Sequence, residues 1–346
     1  MERNWLGKGT YGSVYKVGNT AVKKFKHDMS LIQEYAAGFY LRTCPYIIKA
    51  YSVDIPKLSV SMKLYNGSLK EWLFETRTLR QKHTAIKEIL KGLIWLNDLN
   101  LVHGDLKPGN ILCNWNSRGD ITGLVIGDLG FVAPEGYSKA KRTAPAYREI
   151  EVEKDYRHDI YSFGIIMLEM YSDKKVKKQR TAEQLINMTN RTIDDETLRA
   201  VIVNCFQENR AKRKTARYIM LKLYNESPGL QEFVPPEKYI REISEIQERD
   251  LEIFFRDFGQ KKLQIHRSKT AYEGCRHYIS KNKVSREFHK LYSVCTLIIY
   301  SAIFGRDGFD ISSAAKYLNT SRNKIMDTVA ALLNDDLFIS YVYYDK

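Results

Sequence analysis

The strongest constraint on the fold is a change of hydrophobic period near Leu69. Up to about residue 65 the apolar residues come in short, strand-like runs broken by glycines and turn residues. Val14, Tyr15 and Val17, then Ala21, Val22 and Phe25, bracket Gly18-Asn19, a good hairpin signal. Ile47–Tyr51 and Leu58–Leu64 read as two further strands. A helix opens at Ser30, with Leu31, Ile32, Tyr35 and Phe39 near helical spacing. Beyond Leu69 the spacing is helical: Ile86, Ile89, Leu90, Leu93, Ile94 and Leu96 predict a core helix within Leu79–Asn97. Two short strands, Ile111–Cys113 and Leu124–Ile126, precede a loop over Gly130–Pro145 that is rich in Gly, Pro and Lys. Ile160–Tyr171 is almost wholly apolar and predicts a helix buried on all sides. Further helices are expected at Ala182–Met188, Asp195–Gln207 and Ala216–Tyr224.

The fold class expected is therefore α+β, with a small β-rich part over residues 1–65 and a larger helical part over 66–230. Ser227-Pro228-Gly229 and Pro235-Pro236 form the clearest linker. Residues 236–346 read as an all-α domain, with helices over Glu237–Phe258, Thr270–Asn282, Arg286–Phe304, Ile311–Leu318 and Arg322–Leu337. A chain of 346 residues, 44% hydrophobic and 28% charged, has room for these units and is no disordered tract.

The longest apolar run, Leu291–Phe304, is interrupted by Tyr292, Ser293, Thr296 and Tyr300 and is too short to span a bilayer. No signal-peptide pattern opens the chain, because Glu2 and Arg3 stand at once after Met1. Five cysteines (Cys44, Cys113, Cys205, Cys275, Cys295), an odd number without CxxC spacing, point to reduced thiols rather than disulfides or zinc. A soluble intracellular protein, cytoplasmic or nuclear, is expected. The net charge of +14 lies mostly before Pro235, so it is not a basic tail; it fits either a solvated surface or an acidic partner.

Chemistry enters with Gly7-Lys8-Gly9-Thr10-Tyr11-Gly12-Ser13-Val14, a GxGxxGxV pattern between two predicted strands. Gly7, Gly9 and Gly12 allow a hairpin to lie close over a polyphosphate with its backbone N–H groups pointing at oxygen, although a glycine-rich hairpin is often only a turn. On the next strand Lys23 shares a face with Ala21, placing a cation beside a small residue that leaves room for a ring. Glu34, on the following helix, is placed to pair with Lys23 and hold it toward phosphate.

The decisive segment is His103-Gly104-Asp105-Leu106-Lys107-Pro108-Gly109-Asn110. There Asp105 would accept or orient a hydroxyl proton, Lys107 would neutralise charge on a transferring group, and Asn110 would offer a carbonyl to Mg²⁺. Asp128, in Gly127-Asp128-Leu129-Gly130 at a strand end, would be the main Mg²⁺ ligand, since hard cations take oxygen donors. Either segment alone is explained by turn formation; both in this order, after the glycine hairpin and the strand lysine, are not.

Over about its first 226 residues the chain resembles the eukaryotic-type protein kinase family. Tyr147-Arg148-Glu149-Ile150-Glu151 is similar to the family's YRAPE, and Asp159-Ile160-Tyr161-Ser162-Phe163-Gly164 to its DxxSFG. Cys205-Phe206 and Arg213 are similar to its closing pattern. The resemblance implies a bilobal fold, ATP with Mg²⁺, and a serine or threonine of a protein as acceptor, the last because Lys107 follows Asp105 by two. It implies that Met62–Tyr65 meets adenine through backbone groups, Leu64 among them. It further implies that Val14, Ala21 and Leu112 sandwich the ring with Met62 behind it. Asp159 would brace the loop around Asp105, and Glu151 and Arg213 would form a buried ion pair.

The departures carry expectations too. Gly104 replaces the family's arginine, so activity is expected not to need phosphorylation of Ser138 or Thr143. Gly38 and Ala50 stand where the family packs larger residues, leaving Phe39, Tyr40 or a partner to fill the gap. His-Gly-Asp loops also occur in small-molecule phosphotransferases of the aminoglycoside and choline type, the alternative enzyme; a pseudokinase scaffold is a third reading, weakened because Lys23, Glu34, Asp105, Asn110 and Asp128 are all present. The C-terminal helices bear a weak similarity to a cyclin box, which could press on the Glu34 helix, and to a helix-turn-helix. With nine basic and two acidic residues over Lys261–Lys290, they leave a regulatory partner or a nucleic acid as candidates. Lys174-Lys175-Val176-Lys177-Lys178 reads as a solvated loop or a nuclear-import signal.

Overall fold

The computed structural model describes residues 4–9, 11–54, 56–136, 144–149, 155–226, 228, 265–285, 288–304 and 311–343. The chain divides into two compact units. One holds Met1–Thr43, Lys49–Leu64 and Phe233–Lys346, the other Cys44–Ile48 and Tyr65–Glu232.

The first unit begins with a five-stranded antiparallel sheet, β1 (Asn4–Lys8), β2 (Gly12–Val17), β3 (Thr20–Phe25), β4 (Ala50–Asp54) and β5 (Ser59–Lys63), in the order β1-β2-β3-β5-β4. The hairpin turns at Gly18, whose φ of +58° is a left-handed state that glycine adopts without strain. Helix α1 (Asp28–Tyr40) follows β3. The expected strand Ile47–Tyr51 is shifted, since β4 starts only at Ala50. Ile47 and Ile48 are buried in the second unit, where the Ile48 N–H donates to the Ile126 carbonyl at 2.9 Å. Burial of two isoleucines in another core outweighs their strand propensity here.

The second unit is mainly helical. Its elements are β6 (Gly67–Ser68), α2 (Leu69–Trp72), α3 (Leu79–Asp98), β7 (Leu101–Val102), β8 (Ile111–Trp115), β9 (Ile121–Ile126), β10 (Ala133–Pro134), α4 (Tyr156–Ser172), α5 (Ala182–Thr192), α6 (Glu196–Cys205) and α7 (Ala216–Tyr224). Helix α3 starts at a Thr78/Gln81 capping box and buries Ile86, Ile89, Leu90 and Leu93 along one stripe. Helix α4 is buried from His158 through Met170, as its unbroken apolar run predicts. Sheet β6-β8-β9 and the short pair β7-β10 frame the loops that carry the polar residues of the site.

The chain then returns to the first unit with α8 (Ile265–Lys281), α9 (His289–Phe304), α10 (Ile311–Leu318), α11 (Arg322–Leu333) and α12 (Asp336–Tyr343). The expected single helix Arg322–Leu337 is two. It stops at Asn334, and Asp335 caps the next helix by accepting the Phe338 N–H at 2.9 Å. Helices α9, α11 and α12 pack against α1. The predicted helix Glu237–Phe258, and the linker residues Ser227, Gly229, Pro235 and Pro236, lie outside the described residues. No helix among the described residues is long and apolar enough to cross a membrane.

Candidate active site

In the first unit the sheet register brings one group of candidate residues together. Ala21 stands opposite Met62 and Lys23 opposite Val14, so these four side chains share one face of the sheet. Ala21, Lys23 and Met62 are buried on it. Lys23 Nζ donates to Glu34 Oε2 at 2.5 Å, with the two side chains only 10% and 11% exposed. A cation and an anion this deep require each other, because either alone would carry an uncompensated desolvation cost. The aliphatic approach of Lys23 is flanked by Phe25, whose ring centre lies 5.2 Å from Nζ.

The three hairpin glycines are not equivalent. A Cβ on Gly12 would fall 2.0 Å from the Lys24 carbonyl oxygen, so β2 and β3 approach too closely for any other residue. A Cβ on Gly7 would meet nothing within 4 Å and one on Gly9 only the Gly12 carbonyl at 3.8 Å, so packing does not explain them. Leu64 follows directly on β5 and is half-buried.

The second unit holds a separate group of candidate residues. Asp159, in the first turn of α4, accepts the His103 N–H at 2.7 Å and the Gly104 N–H at 2.9 Å, bracing the loop that leaves β7. Gly104 has φ +78°, a backbone state that side chains resist. His103 is wholly buried between two partners. Its Nε2 donates to the Gly127 carbonyl at 2.9 Å and its Nδ1 accepts the Asp105 N–H at 3.3 Å. Both bonds are satisfied only by the neutral tautomer with the proton on Nε2.

Asp105, 5% exposed, is held on both carboxylate oxygens. The Lys107 ammonium and Asn110 Nδ2 (3.1 Å) donate to Oδ2, and the Ala144 N–H donates to Oδ1 at 3.0 Å. Asn110 Nδ2 also donates to the Asp105 carbonyl at 2.9 Å, which commits the nitrogen of that amide and leaves its oxygen to accept hydrogen bonds or ligate a cation. The Gly127 N–H donates to the Asn110 carbonyl at 2.7 Å, tying this loop to the end of β9 next to Asp128. Asp128 itself is half-buried with φ +58°, a left-handed state that Asp tolerates better than most residues. Leu112, on β8, is half-buried in the same unit.

The structure thus brings Lys23 to Glu34 in one unit, and Asp105, Lys107 and Asn110 together in the other with Asp128 close in the chain pairing. Metal fit rests on donor chemistry. An amide oxygen and a carboxylate are hard donors, and two protein ligands of this kind suit Mg²⁺, which keeps waters and substrate phosphates as its remaining ligands. Among the described residues no group of three or more His, Cys, Asp or Glu offers an all-protein metal cage.

Arg213, buried with a 1% exposed side chain, sends Nη1 and Nη2 to Glu149 at 2.7 and 2.5 Å; the expected partner Glu151 lies outside the described residues. The YRAPE-like stretch carries no proline at Ile150, and its carboxylate two positions earlier takes the guanidinium, with Arg210 Nε 3.5 Å away. The sequence signal was present, since Glu149 stands in that stretch, but two glutamates in one motif leave the choice to tertiary geometry. The Ala144 N–H on Asp105 was not foreseeable, because a backbone donor carries no residue signature.

The family model for the protein kinase domain matches residues 2–225. Among curated proteins the chain is 30% identical over 192 residues to serine/threonine-protein kinase 4 homolog A of Dictyostelium discoideum, covering 49% of this chain and 40% of that protein. It is 28% identical over 196 residues to mitogen-activated protein kinase kinase 7 of Arabidopsis thaliana, covering 48% of this chain and 61% of the relative. With cysteine-rich receptor-like protein kinase 18 of Arabidopsis thaliana the match is 25% over 305 residues, or 69% of this chain and 44% of the other. The chain spans only 40% to 61% of the length of these relatives.

Proposed function

Because the chain belongs to the protein kinase family, we propose that it transfers the γ-phosphoryl group of ATP to a serine or threonine hydroxyl of a protein. The observation that carries this reading is the anchoring of Asp105. Both of its oxygens are pinned by donors, which fixes the carboxylate, while the single N–H on Oδ1 leaves a lone pair there for an acceptor hydroxyl. In this reading Asp105 orients the hydroxyl and takes its proton, and Lys107 balances negative charge on the phosphoryl oxygens as they separate from the leaving group. Lys23, held by Glu34, contacts the nucleotide phosphates, and the N–H groups around Gly7, Gly9 and Gly12 cover them. Val14, Ala21 and Leu112 flank adenine, Met62 lies behind it and the Leu64 backbone meets its edge.

Asn110 and Asp128 would hold Mg²⁺, which would neutralise charge on the phosphates. The burial of all five cysteines as thiols supports a reducing compartment, cytoplasm or nucleus. The relatives are named as protein kinases, which does not favour the small-molecule alternative. The test is incubation of the chain with radiolabelled ATP and Mg²⁺, casein in one arm and an aminoglycoside in another. Label on casein serine or threonine is expected; label on the sugar, or on neither, would overturn the proposal.

A further inference from the structure

Helix α1 is covered to a degree that its own sheet does not explain. Leu31 through Gly38 are eight consecutive buried residues, whereas a helix laid on a sheet buries one stripe. The second cover comes from α9, α11 and α12. Polar contacts follow the helix from end to end. At its start Asp28 pairs with Arg322, in its middle Tyr35 Oη donates to Asn334 Oδ1 at 2.6 Å, and past its end Arg42 pairs with Asp336. The Tyr40 ring stacks on Tyr343 with centroids 4.8 Å apart and planes at 20°.

Successive helix residues point about 100° apart, so Glu34 faces Lys23 while its neighbour Tyr35 faces Asn334. The side chain that holds the phosphate-binding lysine and the side chain held by the C-terminal helices are adjacent in one rigid turn. Gly38, one turn beyond Glu34, adds no side chain to that helix's hold on its surroundings. Arg42 and Asp336 are both exposed and contribute little, so the grip is concentrated in the Tyr35–Asn334 bond, the Tyr40–Tyr343 stack and the partly buried Asp28–Arg322 pair.

We propose that the C-terminal helices are a built-in clamp that sets Glu34 against Lys23, with Tyr35, Asn334, Asp28 and Arg322 as positioning residues for phosphoryl transfer. The clamp rests on the kinase reading for its effect on turnover, but not for its effect on α1. Phosphotransfer then depends on residues that touch neither nucleotide nor acceptor. The fraction of molecules with Glu34 in place multiplies kcat and leaves KM for the protein substrate alone.

The test uses the full chain with ATP and casein, and amide hydrogen exchange of residues 31–38. Arg322→Asp sets two carboxylates face to face and is expected to lower kcat about tenfold and to speed exchange in α1. Adding Asp28→Arg restores opposite signs and should recover most of both. Tyr35→Phe and Asn334→Ala should lower kcat alike, with no further loss when combined. Unchanged α1 exchange in Arg322→Asp, a loss that Asp28→Arg fails to rescue, or a rise in KM at constant kcat would overturn the clamp. If the unaltered chain labels no casein, the kinase reading fails while the exchange arm still decides for or against the clamp.

Discussion

Asp128 follows the end of β9 in a left-handed backbone state, a conformation that Asn accepts as readily as Asp. Asp128→Asn therefore keeps shape and backbone while removing the charge proposed to bind the metal. Turnover should fall by about a hundredfold or more with an unshifted melting curve, as when one preorganised charge-stabilising group is lost; unchanged kcat would remove the metal assignment. Gly104 bears on regulation at the same scale. Position 104, a glycine, offers no guanidinium to reward a phosphate on Ser138 or Thr143, residues that lie outside the described structure. The Ala144 N–H donates directly to Asp105 Oδ1. Phosphatase treatment should leave kcat within about twofold, whereas a kinase dependent on that modification would lose a factor nearer the 10²–10³ of a lost charge-stabilising group. Arg213→Ala would strand the Glu149 carboxylate and cost about 3–5 kcal/mol, the range for breaking a buried pair, measured by urea unfolding. Arg210 near Glu149 places the expected value at the lower end.

Among the elements, α1 and α8–α12 show most clearly how packing overrules local pattern. The apolar pattern located α3 and α11 by their stripes and α4 by its unbroken apolar run, but it ran α11 and α12 together through Asn334. Both stretches have helical spacing, and the break depends on Asp335 capping the second. Helix α8 contains a titratable residue that reports on this packing. His277 is buried against the Tyr341 ring, and its Nδ1 finds no hydrogen-bond partner among the described residues. Burial holds its pKa below the ordinary 6.5; nearby Asp335 works the other way, and Lys281 and Arg276 with the burial.

A base with a depressed folded pKa takes up its proton more readily when unfolded. Its contribution is therefore intact above pH 6.5 and is lost as the pH falls from there toward the folded value. The α8–α12 helices should lose stability across that interval in a thermal melt, and His277→Phe should flatten the dependence. An unaltered slope in the variant would assign the effect to another group.

At the scale of the whole molecule the chain is two compact units, and the unit with the N-terminal sheet also contains the C-terminal helices. A cavity placed far from α1 in sequence should therefore be felt in it. Ile298→Ala, in the fully buried part of α9, should cost about 2–5 kcal/mol and speed exchange in α1 as well as in α9 and α11. Exchange confined to α8–α12 would show that the two parts open separately.

The sequence by itself marked most of the strands and helices and singled out Lys23, Glu34, Asp105, Lys107, Asn110 and Asp128 as candidates for the chemistry. It also foretold the brace from Asp159. These were legible because short-range periodicity and fixed motif spacing encode them within a few residues. Tertiary structure alone decided that Arg213 closes on Glu149, that Ala144 holds Asp105, and that Asn334 and Arg322, some three hundred residues downstream, grip the helix of Glu34. Such pairings are chosen by which surfaces meet once the chain has folded, and a polar residue carries no mark of a partner that distant along the backbone.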